Sequence, residues 1–354
     1  MMIFRNLENA KRKAHLIKWR CMENLDKLLP EFESHALSRG IKVVWANDEL
    51  EARSAITDII QQSGAQTFMQ SASTIHREIG LDECLRTTNI QPVEGNPKRT
   101  KVDIGITGAD FIIAENGSVA ISTPNGVDQI SYSATKTHIV IAGIDKIIPT
   151  MRDLDLFWPL LSTHRSGEQL ETLQALISGP SQANETDGPK EMVVILLDNG
   201  RSNLLEQEEQ RQGLYCIDCE ACLRVCPVYQ HLGEDGYEST RTGPIGSLIT
   251  PHTQGMKEFK HLSEKSTLCG KCDEVCPVSI DISRMLLLNR RDAVNKGHVP
   301  TDEKLLWKSY TVLMSNRRWL DRLSAPLKNL LLRLFLKKKW GKKRVMPKVA
   351  KKAK

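Results

Sequence analysis

The sequence predicts an α/β domain with a largely parallel, covered sheet, joined to a mainly α-helical, ferredoxin-like cysteine module. Three observations carry this reading. Short Ile- and Val-rich runs alternate with stretches of helical length between Ile41 and Leu197. From Tyr215 onward strand patterns give way to helical ones. Seven of the nine cysteines fall between Cys216 and Cys276.

The elements follow in order. Residues 1–38 are charged and read as helical. Ile41–Trp45 reads as a strand, and Asp48–Gln62 as a helix with Asp48 and Glu51 spaced as a capping box. Thr67–Gln70 is a short strand and Ser73–Arg86 a helix. Further strands are expected at Val102–Thr107, Val119–Ser122, His138–Ala142 and Val193–Leu197. Helices are expected at Asp153–Leu161 and Glu168–Ser178. Strands separated by helices of this length imply βαβ units. The polar stretch Gly179–Glu191 reads as a surface loop because the apolar strand Met192–Leu197 follows it. The segment between the cysteine motifs contains a turn at Gly243–Gly246 and otherwise reads as helical, as does Ile282–Asn289. The resulting division is 1–40, 41–205, 206–300 and 301–354.

The chain has 354 residues, 40% hydrophobic and 26% charged, a globular composition. The net charge of +6 is uneven. Leu327–Lys354 holds 12 Lys/Arg and no acid, leaving 37 basic and 43 acidic groups elsewhere. No apolar run reaches the roughly 18 residues of a membrane-spanning helix. The opening MMIFRNLENAKRK lacks the apolar core of a secretory signal, so a cytoplasmic location is expected. Leu327, Leu330, Leu331, Leu334 and Phe335 recur at helical spacing ahead of KKKWGKKR. Such a tail suits peripheral contact with an anionic inner-membrane surface. Nucleic-acid binding is not expected, because Trp340 is its single aromatic beyond Phe335.

The chemistry lies in the cysteines. Cys216, Cys219, Cys222, Cys226 and Pro227 form the C-x₂-C-x₂-C-x₃-C-P run of two-cluster ferredoxins. Cys269, Cys272, Cys276 and Pro277 form C-x₂-C-x₃-C-P. Zinc sites use paired CxxC or Cys/His sets, which this run fits poorly. In two-cluster ferredoxins the last cysteine of each run serves the other cluster. Cys216, Cys219, Cys222 and Cys276 then hold one [4Fe–4S] cluster, and Cys226, Cys269 and Cys272 hold part of a second. The second is one thiolate short. Its last iron takes a non-cysteine ligand, with His231, Asp235, His252 and His261 as nearby candidates, or an external thiol or substrate, or the cluster is [3Fe–4S]. The isolated Cys21 and Cys84 read as buried thiols.

At these residues the chain resembles a known family. CIDCEACLRVCPVY, TGPIGSLITP and LCGKCDEVCPVSI are similar to the lactate-utilisation iron–sulfur proteins. So are Asp103–Gly117, Thr137–Thr150, Asp187–Leu205 and Ser71–Leu81, the last resembling that family's KSKSMVTEEIGL. The resemblance implies an N-terminal LUD domain over 41–205, a layered sheet of the sugar-phosphate isomerase and CoA-transferase type, and a two-cluster domain over 206–300. It implies an electron-transfer subunit in a bacterial system oxidising L-lactate, or a related 2-hydroxy acid, to pyruvate. The partners would be a CCG-type iron–sulfur subunit and a second LUD-domain protein. The chain departs from the family in the short Glu94–Lys101 segment and in Gln70 and Ala72 at the KSKS positions.

No catalytic residue is assigned. The chain reads as a non-autonomous oxidoreductase subunit, the alternatives being direct substrate binding or a metal-stabilised regulatory role. Thr107 and Gly108 could offer an anion contact. Glu115, in a turn similar to that bearing the CoA-transferase glutamate, could contact substrate, although Glu115-Asn116-Gly117 also suits a plain strand-to-strand turn.

Overall fold

Two helices precede the first strand, because residues before Ile41 bury one stripe each. In the computed structural model, residues 4–93, 102–123, 135–167, 173–185, 188–315, 324–340 and 348 are described. Helix α1 is Leu7–Glu23, capped by Asn6, and α2 is Leu25–Ser38. Strand β1 is Ile41–Ala46 and α3 is Glu49–Ser63. Asp48 caps α3 by accepting from the Leu50 and Glu51 amides, while the Glu51 carboxylate accepts from Asn47 N at 2.8 Å. Strand β2 is Thr67–Gln70.

The helix expected at Ser73–Arg86 is two short ones, α4 (Thr74–Glu78) and α5 (Leu81–Arg86). Gly80 between them is left-handed at φ 61°, a conformation that glycine adopts without strain. Strands β3 (Gln91–Pro92), β4 (Val102–Gly108), β5 (Phe111–Ile113), β6 (Ser118–Thr123), β7 (Thr135–Gly143) and β8 (Ile147–Ile148) follow, then helix α6 (Leu154–Arg165).

The segment Glu168–Ser178, expected to be a helix, is not one where it is described. Leu173–Ile177 is strand β9, antiparallel to β6 with Leu173 opposite Thr123 and Ile177 opposite Val119. Cross-strand pairing against a buried strand outweighs the local helical pattern. Residues 168–172 of that expectation, and the whole Glu94–Lys101 segment, lie outside the described residues. Strand β10 is Glu191–Leu197.

These strands form two sheets. One is six-stranded and parallel, in the order β1-β10-β7-β4-β2-β3. The other is four-stranded, in the order β8-β5-β6-β9, with antiparallel pairs at β5–β6 and β6–β9. The central strands β7 and β10 are almost wholly buried, as continuous Ile/Val runs in covered parallel sheets should be. Gly117, at φ 69°, lets α2 pass close to the β5–β6 turn, where a side chain would strike the backbone of Ala36.

Beyond β10 the described chain is helical: α7 (Arg201–Leu205), α8 (Ala221–Val225), α9 (Pro227–Leu232), α10 (Gly243–Thr253), α11 (Met256–Glu264), α12 (Lys271–Val275) and α13 (Ile282–Asn295). The turn expected at Gly243–Gly246 is the first turn of α10, with Pro244 near its start, where a missing N–H costs nothing. The α/β layers and the cysteine module form one compact unit, Met1–Asp292. A second unit runs from Ala293 and contains α14 (Thr301–Ser315) and α15 (Ala325–Trp340). No helix among the described residues is long and apolar enough to cross a membrane. The basic stretch after Trp340 lies, apart from Lys348, outside the described residues.

Two histidines are sealed in the α/β unit. His138 on β7 shares a 2.8 Å hydrogen bond with Thr107 Oγ1, and His76 Nδ1 lies 2.9 Å from Ser71 O. Burial lowers their pKa values from 6.5 to about 3 and about 4 respectively. Both are neutral when folded and protonate on unfolding, so their contribution is complete above pH 6.5 and is lost as pH falls toward those folded values. Going from about pH 7 to about pH 5 should therefore cost on the order of 2 kcal/mol per histidine. Urea melts of wild type and His76→Gln at the two pH values check this. An equal pH slope in both proteins would remove His76 from the explanation.

Candidate metal centre

The first cysteine motif begins where the α/β domain ends. A short 3₁₀ turn, Arg211–Tyr215, delivers Cys216, and the next turns are tight. Asp218 and Glu220 are left-handed at φ 52° and 58°, and Leu268 and Ser279 near the second motif are left-handed at 54° and 51°. Non-glycine residues pay for this conformation, and such strain gathers at functional sites. Here it curls the backbone so that sulfurs and amides face inward. The amides of Asp218, Tyr229 and Ile280 point at the sulfurs of Cys216, Cys226 and Cys276, at 3.4, 3.5 and 3.3 Å.

Cys216, Cys219, Cys222 and Cys276 line one cavity. Its apolar wall includes Ile217, Leu223, Ile245, Val278, Ile280 and Ile282, and Thr74 and Arg77 of α4 reach its rim. The segments that supply these cysteines are far apart in sequence, and they meet because α8 packs against α12. Burial drives the thiols of Cys216 and Cys222 well above the ordinary range and pushes Cys219 up to about 12, and neighbouring cysteines add to the shift. Four sulfurs crowded into an apolar cavity are costly as free thiolates, and multiple iron cations would compensate that charge. In a cubane each thiolate meets a different iron, so four cysteines around one cavity fit a cluster.

The second set is more open. Burial, with Cys226 close by, raises the Cys272 thiol pKa, whereas Cys269 is exposed. The Lys271 amide bonded to Cys269 lowers its thiol pKa. Tyr237, buried between this set and Tyr229, has its phenol pKa raised by burial and by Cys226. Of the expected non-cysteine ligands, His252 Nε2 pairs with Asn289 Oδ1 at 2.8 Å, and the His261 ring stacks on Phe259. His231 lies in the last turn of α9, and Asp235 in the 3₁₀ turn after it.

A buried ion network ties the cavity to the sheet. It starts where β7 and β10 end, the place where open parallel sheets present loops to ligands. Arg201 pairs with Glu78 at 2.7 Å and with Asp145 at 2.5 Å. Lys146 pairs with Asp145 at 3.4 Å and Asp218 at 2.7 Å, and its ammonium donates to the Cys216 carbonyl at 2.9 Å. Arg241 holds Asp218 from the other side at 2.7 Å. Burial opposes every charge here, but the partners prevail: Lys146 lies above and Asp218 below its ordinary pKa. Lys18 enters from α1 and donates to the Asp145 carbonyl, and burial lowers its pKa. The three cations Lys146, Arg201 and Arg241 meet three carboxylates, Glu78, Asp145 and Asp218, whereas burial disfavours the charged form of Lys18. Helix α1 also reaches the second motif, through Lys11 to the Glu274 carbonyl at 3.0 Å and His15 to the Val278 carbonyl at 2.9 Å.

The other expected contacts are dispersed. Thr107 is fully buried and bonded to His138, and Gly108 packs where an added side chain would strike Ser73. Glu115 sits in the β5–β6 turn of the other sheet and accepts from Met151 N at 2.9 Å. The sequence reading missed the network altogether. Its one local signal was the acidic residue inside the first CxxC, Asp218, which has no use as a solvent-facing charge in a buried loop.

Residues 29–197 match the LUD domain family and residues 212–280 match the 4Fe-4S dicluster domain family. The chain is 31% identical to Lactate utilization protein B of Bacillus subtilis (strain 168), over 86% of this chain and 78% of that protein. The corresponding protein of Bacillus velezensis is 30% identical, over 86% of this chain and 76% of that protein. A crystal structure of a DUF162 family protein from Deinococcus radiodurans aligns with 49% of this chain and 98% of its own, at 16% identity and a TM-score of 0.36.

Proposed function

Because the chain belongs to the Lactate utilization protein B family, we propose that it is the iron–sulfur electron-transfer subunit of a system that oxidises lactate or a related 2-hydroxy acid. The observation that carries this reading is the single cavity lined by Cys216, Cys219, Cys222 and Cys276. That lining draws on two distant cysteine runs, which supports the crossed ligation of two-cluster ferredoxins. Cys226, Cys269 and Cys272 form the second set, nearer the surface. Bound clusters would accept and donate single electrons, with potentials set by local charge, hydrogen bonds to sulfur and exposure. The chain's own residues then have distinct tasks. Amides of Asp218, Tyr229 and Ile280 stabilise sulfur charge. Lys146 and Arg241 hold the first loop and place positive charge beside it.

Carbon chemistry is assigned to partners, a CCG-type iron–sulfur subunit and a second LUD-domain protein. The division 1–40, 41–205, 206–300 and 301–354 belongs to the same proposal, with peripheral membrane contact assigned to the last segment. The test is anaerobic purification with iron and sulfide analysis, then mixing with the partner subunits and L-lactate. About eight irons per chain, four for each cubane, and lactate-dependent bleaching of the visible absorbance are expected. A colourless protein containing zinc or no metal overturns the reading.

A further inference from the structure

The two cysteine motifs repeat each other with a shift of fifty positions. Cys219, Cys222 and Cys226 then correspond to Cys269, Cys272 and Cys276, and Cys216 corresponds to Ser266. The backbone follows the same register. Asp218 and Leu268 are left-handed at φ 52° and 54°, and Glu220 and Gly270 are left-handed at 58° and 77°. Each is followed by a five-residue helix, α8 or α12, ending at a Cys-Pro step.

The side chains follow it too. The Asp218 amide points at Cys216 Sγ at 3.4 Å, and the Leu268 amide points at Ser266 Oγ at 3.1 Å. A buried or half-buried cation meets each carbonyl: Lys146 donates to Cys216 O at 2.9 Å, and Arg290 to Ser266 O at 2.6 Å. Ser266 Oγ therefore stands toward the second cysteine set as Cys216 Sγ stands toward the first. The two remaining cysteines are committed elsewhere. Cys21 is buried on α1, and the Cys84 sulfur lies against Thr57 Oγ1 at 3.7 Å.

We infer that Ser266 is the fourth ligand of the second cluster, its side-chain oxygen holding the iron that no cysteine of this chain reaches. The inference rests on the two-cluster reading above. Bonding replaces the O–H bond by an Fe–O bond and releases the proton to solvent, with no change in oxidation state. The Leu268 N–H, which points at Ser266 Oγ, favours the resulting alkoxide. Oxygen is a harder donor than thiolate sulfur, so this corner differs from the other seven in both lability and potential.

The test compares the full-length wild type, Ser266→Ala and Ser266→Cys, purified anaerobically. Iron content is measured before and after mild oxidation, and each cluster is followed by electron paramagnetic resonance during redox titration. Ser266→Ala should lose one iron per chain on oxidation and show the isotropic signal of an oxidised three-iron cluster. Ser266→Cys should keep its full iron complement and shift the midpoint of the second cluster upward. The first cluster's signal should be unchanged in both, which separates a ligand effect from misfolding. If both variants match wild type in iron retention and midpoint, Ser266 is not the ligand and only this inference falls. Wild type without iron–sulfur clusters overturns the underlying reading as well.

Discussion

Replacing Arg201 with alanine should destabilise the α/β unit by about 3–5 kcal/mol, because it strands buried carboxylates without their cation. Arg201 is 3% exposed and serves Glu78 through two nitrogens and Asp145 through Nε. Gly143 leaves room for this, since a side chain there would strike both Asp145 and Arg201. Burial raises the cost of ionising Glu78 and Asp145, but Arg201 and its neighbours hold both pKa values below the ordinary carboxylate range. In the alanine variant that compensation is gone. Urea denaturation followed by circular dichroism measures the loss. The combination Glu78→Gln, Asp145→Asn and Arg201→Met should recover much of it, because a buried ion pair gains little over a neutral, well-packed replacement. A loss under about 1 kcal/mol for Arg201→Ala would mean that water reaches these carboxylates and solvates them.

The largest effect on composition should come from Cys276→Ala. Although Cys276 belongs to the second motif, its loss should abolish the first cluster, lowering iron from about eight to about four per chain while leaving the second cluster's signal. The cavity is the reason: Cys276 lines it with Cys216, Cys219 and Cys222, and the Ile280 amide fixes its sulfur at 3.3 Å. Cys226→Ala should do the reverse, although Cys226 belongs to the first motif. Electron paramagnetic resonance of reduced samples separates the two. If Cys276→Ala and Cys269→Ala extinguish the same signal, each motif holds its own cluster and the crossed assignment is wrong.

Much of this was legible from the residue order. His138–Ala142 and Val193–Leu197 read as strands because buried parallel strands need continuous apolar runs, which are visible locally. The cysteine spacing was equally plain, because cubane ligation demands thiolates at short fixed intervals. Leu173–Ile177 misled because its helical pattern gives no sign of the β6 edge that pairs with it. Gly243–Gly246 misled because Gly and Pro mark turns and helix starts alike.

The sequence by itself determined the spacing of the two cysteine motifs and most of the order of elements, since both depend on near neighbours along the chain. Only the tertiary structure decided that Lys146, at the end of one strand, grips the Cys216 loop, and that Arg201, Glu78 and Asp145 share one buried network. Charges that far apart in sequence carry no local pattern. They become a single electrostatic unit only where folding removes water and brings them within hydrogen-bond reach.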